Sequence, residues 1–243
     1  MAILLFTDFG AADLYVGQVE AVLDRLAPGV RVIDLLHEAP PLNVRASAHL
    51  LAALVVRIPA EQIVIGVVDP GVGMDRGAVA LRADANWYVG PDNGLFSVIA
   101  ARAASKLVWR IIGGPSGVSP SFHGRDVFAP MAAAIATGGL PNDSVVAAAD
   151  LAVHFGGDDL AEVIYVDHYG NCFTGIRALG VPQTNRLVVG GREIPRSRVF
   201  AEVAPGTAFW YENSSGLVEI AVNRGSAARE LGLTVGAPVS WAA

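Results

Sequence analysis

Through its first two thirds the chain alternates short β-branched runs with segments of helical period, and this alternation constrains the fold more than any single residue does. Such alternation is the pattern of βαβ units, which build a largely parallel sheet covered by helices. Strands are predicted over 3–6, 30–35, 62–68, 78–82, 87–89 and 107–112. Helices are predicted between them. One spans 13–26 and stops at Pro28-Gly29, and a second opens after the capping Asn43 and stops at Pro59. A third follows Asn93, and a fourth runs over 126–137 ahead of Gly138-Gly139. Beyond about Asp143 the texture changes to short β-rich runs over 163–166, 186–189, 208–212 and 217–222, divided by Gly, Pro and Asn, with one short helix over 226–231. That texture predicts a small β-barrel or sandwich. The expected fold class is therefore α/β. An amino-terminal three-layer α/β domain with a mostly parallel sheet spans 1–150, and a smaller carboxy-terminal β-barrel domain spans 160–243.

Composition supports a packed domain and narrows the partners. Of 243 residues, 53% are hydrophobic and 16% charged, against about 25% charged in an average soluble domain. Disordered chains show the reverse balance. The net charge is −6 and no basic run exceeds an isolated pair, which argues against nucleic acid and anionic membrane as partners. The longest apolar stretches, 50–56 and 128–136, fall short of the ~20 residues that cross a bilayer. The amino terminus meets Asp8 almost at once and reads as a buried strand, not a signal peptide. The single cysteine, Cys172, excludes an internal disulfide and suits a reducing compartment. A soluble, cytoplasmic protein is expected.

Polar residues concentrate in four segments at the ends of apolar strands, where open α/β sheets bind ligands. They are TDFG (7–10), VVDPGVGMDRG (67–77), SFHGRD (121–126) and DHYGN (167–171). Asp8 is either a turn residue capping the next helix or a carboxylate for ligand hydroxyls. Asp69, just beyond a strand in a Pro-Gly turn, and Arg76, seven residues later, read on their own as an Asx-turn with a surface ion pair. Gly71, Gly73 and Gly77 miss the dinucleotide-binding spacing, and the AVALRA that follows alternates like a strand where a helix is required. His37, His49, His123, His154 and His168 form no metal-binding spacing, and no Gly-x-Ser-x-Gly elbow is present. Asp167 and Asn171 suit a hairpin turn. Glu219, inside an otherwise apolar strand, points to a binding role.

Taken in order, TDFG, DPGVG, GPDNGL (90–95), FHGRD, DHYGN and SSGLVEIAVN (214–223) resemble the S-adenosyl-L-methionine (SAM) hydroxide adenosyltransferases, the adenosine-forming SAM hydrolases related to fluorinase and chlorinase. The resemblance implies an amino-terminal α/β domain, a carboxy-terminal β-barrel, and a homotrimer with sites between neighbouring subunits. It implies hydrolysis of SAM to adenosine and methionine, with SAM as substrate and neither cofactor nor metal. By motif matching, Asp69, Arg76 and His123 surround the attacking water. Asp8 would hold the ribose diol, Asn171 the adenine, and Phe173 would stack on it. Asp13, Asp167 and Ser214 would meet the methionine end, with Phe122, Glu219 and Val222 lining the substrate. Leu42 stands where relatives often carry an aromatic residue, and Ser215 replaces an arginine of fluorinase. Two alternatives stay open at this level: a SAM-dependent halogenase, and a SAM- or adenosine-binding module without turnover.

The expected chemistry is in-line attack on the ribose 5′ carbon, which releases a neutral thioether from the sulfonium. Such a displacement depends on holding one water and lowering the cost of deprotonating it. A guanidinium favours hydroxide, a carboxylate orients the water, and a histidine near its ordinary pKa of ~6.5 can relay a proton.

Overall fold

A computed structural model describes residues 1–112 and 117–242. The chain divides into two compact units, one made of residues 1–51 and 58–157, the other of residues 52–57 and 158–243. In chain order the first stretch holds β1 (Ile3–Thr7), α1 (Val16–Leu26), β2 (Val32–Leu36), α2 (Val44–Leu54), β3 (Ile63–Val67), β4 (Ala78–Ala83), β5 (Asn86–Pro91), α3 (Ser97–Arg102), β6 (Lys106–Ile111), α4 (Ala129–Gly138) and β7 (Val145–Ala148). One seven-stranded sheet runs in the order β2-β1-β3-β5-β4-β6-β7. Strands β2, β1, β3 and β5 pair in parallel, while β4 and β7 run opposite to the other five. The antiparallel β4–β5 hairpin turns through two residues, Asp84 and Ala85, with Asp84 at φ 50°. This carboxylate-bearing residue tolerates the left-handed region and replaces the glycine usual in such a turn.

β1 (ILLFT) and β3 (IVIGV) are buried along their whole length, as central strands covered on both faces must be. Ile3, Leu5, Ile63 and Ile65 pack with Val19 and Leu23 of α1 and with Met131 and Ile135 of α4. On the opposite face Gly66 and Gly90 leave room for the Phe96 ring: a Cβ at Gly90 would lie 2.2 Å from the Gly66 carbonyl oxygen and 2.9 Å from the ring. Burial of these side chains, at ~25 cal/mol per Å² of apolar surface, holds the layers together. Because β2 and β3 flank β1 on opposite sides, the chain reverses its direction of winding at β1 and β3. The crevice beyond their carboxyl ends is the usual ligand position in such sheets. Asp8 and Asp69 are the residues that enter it.

The second stretch holds β8 (Leu160–Val166), β9 (Cys172–Arg177), β10 (Leu187–Val189), β11 (Arg192–Ile194), β12 (Ala208–Glu212), β13 (Leu217–Val222), α5 (Ala227–Leu231) and β14 (Val239–Trp241). Ser226 caps α5 through its hydroxyl, and Gly232 ends the helix at φ 65°, a left-handed C-cap that glycine reaches without strain. The strands form a four-stranded sheet, β12-β13-β9-β8, and a three-stranded one, β11-β10-β14. They enclose a core of Val163, Cys172, Leu187, Trp210, Val218 and Ile220. The barrel expected from sequence is not closed by continuous ladders. Among the described residues the sheets meet at two isolated bridges, Glu162 with Pro238 and Arg196 with Trp210. Pro238 has no backbone N–H to extend the first of these. No helix among the described residues is long and apolar enough to cross a membrane.

Candidate active site

In the first unit the residues read as reactive converge. Arg76 donates through Nε to Asp69 Oδ1 and Oδ2, 3.0 Å each, and through Nη2 to Oδ2. The same Nη2 donates to His123 Nδ1 at 3.0 Å, and Nη1 donates to the Gly77 carbonyl at 3.0 Å. The two charged side chains are nearly covered, 11% and 5% exposed. The guanidinium also sits over the Phe128 ring, 5.5 Å from its centroid. A guanidinium has only donors, so His123 Nδ1 is the acceptor and the neutral ring carries its proton on Nε2. Burial lowers the His123 pKa below its usual 6.5 and the neighbouring Arg76 charge lowers it further, against opposing pulls from Asp69 and Asp126. His123 precedes a five-residue π-helical turn, Gly124–Phe128, that leads into α4. Such turns recur where a helix is distorted for function.

Asp8, Asp69, Phe122 and His123 line a cavity of about 110 Å³, together with Phe9, Leu42 and Val72. Burial raises the Asp8 carboxyl above its ordinary value and Asp69 adds to this, while the Leu42 N–H, donating to Oδ2 at 3.0 Å, works against it. Leu42 reaches that position with φ at 59°, an uncommon conformation for a branched residue. Phe122 stacks edge-on with Phe9 and Tyr15. Asp13 is exposed, accepts the Leu14 N–H at 2.6 Å, and is not among the residues that line this cavity.

The other predicted residues gather in the second unit. Asp167, Asn171, Phe173, Ser214, Glu219 and Val222 all line one cavity of about 750 Å³. Asp167 organises the β8–β9 turn: Oδ1 accepts from the N–H groups of Tyr169 (2.9 Å) and Asn171 (2.8 Å), and Oδ2 accepts from Asn171 Nδ2 (3.0 Å). Gly170 in that turn stands at φ 85°, and a Cβ there would lie 2.0 Å from Ser226 Oγ. Glu219 is 2% exposed, and both of its oxygens are satisfied, by Tyr211 Oη at 2.5 Å and Asn213 Nδ2 at 2.9 Å. Burial raises its pKa, the two hydrogen bonds oppose the rise, and Asp167 reinforces it. Burial likewise pushes the Cys172 thiol up to about 12, so it is not a ready nucleophile.

Sequence reading missed Tyr211, Asn213 and Phe200, which line the same cavity. The hairpin register held the signal for the first, since β12 and β13 pair Tyr211 directly with Glu219. Asn213 sits in the turn between them, its Oδ1 accepting from the N–H groups of Ser215 and Leu217. Phe200 lies in a short 3-10 turn with no periodicity to announce it. Among the described residues no group of three or more His, Cys, Asp or Glu side chains is arranged to hold a metal ion.

Residues 3–145 match the SAM hydroxide adenosyltransferase N-terminal domain, and residues 161–240 match the corresponding C-terminal domain. An (R)-S-adenosyl-L-methionine hydrolase of Thermus thermophilus is 40% identical over 98% of both chains. One of the same name from Salinispora tropica is 41% identical over 95% of this chain and 93% of its own. A fluorinase from Actinoplanes sp. is more distant, 23% identical over 98% of this chain and 96% of its own. A crystal structure of an uncharacterized conserved protein from Thermotoga maritima superposes with a TM-score of 0.90 at 30% identity, covering 99% of this chain and all of that one.

Proposed function

The chain belongs to the SAM hydroxide adenosyltransferase family, and from that premise we propose that it hydrolyses (R)-S-adenosyl-L-methionine to adenosine and L-methionine. The observation that carries this reading is the Asp69–Arg76–His123 cluster, hydrogen-bonded together beside a small cavity that Asp8 also lines. A halide-transferring site would need room for a bare anion, whereas here a carboxylate and an imidazole border the space. Water is the nucleophile that such a pair can hold.

In the proposed reaction Asp69 accepts one O–H of the water, using lone pairs that Arg76 leaves open. The Nε2–H of His123 donates to its oxygen. The Arg76 charge stabilises the hydroxide character that develops as this oxygen attacks the ribose 5′ carbon. The water's proton leaves along its hydrogen bond to Asp69 and passes to solvent, and the C5′–sulfur bond breaks in line with its electron pair going to sulfur, which releases methionine as a neutral thioether. Positioned donors of this kind act mainly by electrostatic preorganisation. Asp8 holds the ribose diol. Phe122 borders the reacting centre. Asn171 reads the adenine with Phe173 stacked on it, Glu219 and Val222 line the nucleoside, and Asp13, Asp167 and Ser214 meet the methionine end.

Asp13 and Arg76 apart, these roles fall on residues that line two cavities, one in each unit. We assign the first unit the water-activating residues and the second the adenine and methionine contacts, with complete sites formed between neighbouring subunits of a homotrimer. Uncovered apolar side chains support this: Leu42 lines the smaller cavity yet is 68% exposed, and Met74, on the Asp69–Arg76 loop, is 71% exposed. A subunit contact at this edge of the cavity would cover both of them. A cytoplasmic setting completes the proposal, supported by the single, buried cysteine. The test is product analysis after incubation with each sulfonium epimer, with and without chloride. Adenosine and methionine from the (R) epimer are expected, and 5′-chloro-5′-deoxyadenosine, or binding without turnover, would overturn the reading.

A further inference from the structure

The GPDNGL segment contributes no side chain to either cavity, yet it grips the reactive loop at both ends. Asn93 Nδ2 donates to the Val68 carbonyl at 2.9 Å, immediately before Asp69. The Asp92 N–H donates to the Gly77 carbonyl at 3.0 Å, immediately after Arg76. Between these anchors the loop is held by its own short turns, Val72 to Asp69, Met74 to Gly71 and Arg76 to Met74. The gripping residues are themselves fixed: Asp92 Oδ1 accepts the Ala152 N–H at 2.9 Å, and Asn93 Oδ1 accepts the Leu95 N–H at 3.3 Å. Gly94, at φ 100°, completes the turn where a Cβ would lie 2.8 Å from the Phe155 ring. Val68 is fully buried, so without the Asn93 amide its carbonyl has no water to turn to.

We propose that the consecutive pair Asp92 and Asn93 is a positioning clamp, which sets the separation of Asp69 and Arg76 by holding Val68 and Gly77, and that Asn93 is its side-chain positioning residue. The clamp acts on the reaction only through that pair, so its effect on turnover rests on the hydrolase reading, while its effect on the geometry does not. Asn93→Asp isolates the contact. It preserves side-chain size and the acceptor for Leu95, removes the donor, and sets a carboxylate against the Val68 carbonyl. Because displacement of a reacting group by about 1 Å can cost roughly 10²-fold in rate, kcat should fall roughly tenfold to a hundredfold. KM for the sulfonium substrate should change by less than about threefold, since no binding residue is touched.

Two readouts on the full chain separate the outcomes. Steady-state hydrolysis gives the kcat-against-KM split. The Arg76 Nε–H resonance, assigned by its loss in Arg76→Lys, reports the Asp69 contact without turnover and should shift or broaden in Asn93→Asp. Asn93→Ser, which removes the amide but stays polar and small, should reproduce both effects. Wild-type kcat with an unmoved resonance in either variant overturns the clamp, as does a raised KM with kcat intact. Failure of both variants to fold overturns it too, by making Asn93 a folding residue. If the wild-type chain forms no adenosine, the hydrolase reading fails, and the resonance still decides the clamp.

Discussion

Arg76→Lys keeps the positive charge at the heart of the cluster and removes its fork. Arg76 engages Asp69 through Nε and Nη2, His123 through Nη2 and the Gly77 carbonyl through Nη1. One ammonium cannot span all of these, and a lysine substituted for a bidentate arginine is not conservative. Hydrogen bonds to charged partners contribute ~1.5–3 kcal/mol each, so a measurable loss of stability is expected. The surviving charge should spare the fold the ~3–5 kcal/mol of stranding the nearly buried Asp69. The rate effect is larger in proportion. The fork aims the Asp69 carboxylate and the His123 ring at the water, and misplacing reacting groups by about 1 Å can cost roughly 10²-fold, so kcat should fall by roughly 10²-fold. The assay is initial-rate formation of adenosine from the (R) epimer, resolved by chromatography, with a melting curve on the same sample. A folded Arg76→Lys enzyme within about threefold of the wild-type kcat would refute the claim that the fork, and not charge alone, organises the water.

Three further outcomes follow from the same geometry. Asp8→Asn retains an acceptor for the Leu42 N–H but turns an amide toward the cavity; KM should rise by roughly 10²-fold with kcat affected less, because buried groups that read hydroxyls discriminate steeply, and an unchanged KM would remove Asp8 from the ribose contact. His123 must stay neutral to accept from Arg76, and both burial and that cation disfavour its protonated form. Activity should therefore persist as pH falls past 6.5 and decline only below, through the lowered pKa; an acid limb at or above 6.5 contradicts this. Gly90→Ala drives a Cβ to 2.2 Å from the Gly66 carbonyl oxygen, where backbone cannot yield. Stability should drop by about 3 kcal/mol or more in urea unfolding, and a loss under about 1 kcal/mol would mean the sheet relaxes there.

The sequence carried the elements with strong periodicity and lost those set by pairing. β12 and β13 fall on the predicted residues because both are fully formed runs between unmistakable turns. The first helix begins at Val16, not at Asp13, since the Asp13 carboxylate is spent on the Leu14 N–H without starting a helix. β7 went unread: four residues at a sheet edge, paired only with β6, leave too little pattern to detect. β9 (CFTGIR), with its glycine and threonine, lacks clean alternation because the consecutive residues Thr174, Gly175 and Ile176 are all buried. In the site, the motifs led to Asp69, Arg76 and His123, but no spacing rule announces that one guanidinium reaches both partners. The structural work of GPDNGL was equally invisible, since its contacts go to backbone carbonyls at 68 and 77, which every residue type possesses.

The central claim is that a water held by this cluster attacks the ribose carbon. Hydrolysis of the (R) epimer in ¹⁸O-enriched water, followed by mass analysis of both products, tests it most directly. One ¹⁸O in the adenosine 5′-hydroxyl and none in methionine is the predicted result. Unlabelled adenosine, label in methionine, or no adenosine at all would contradict the account.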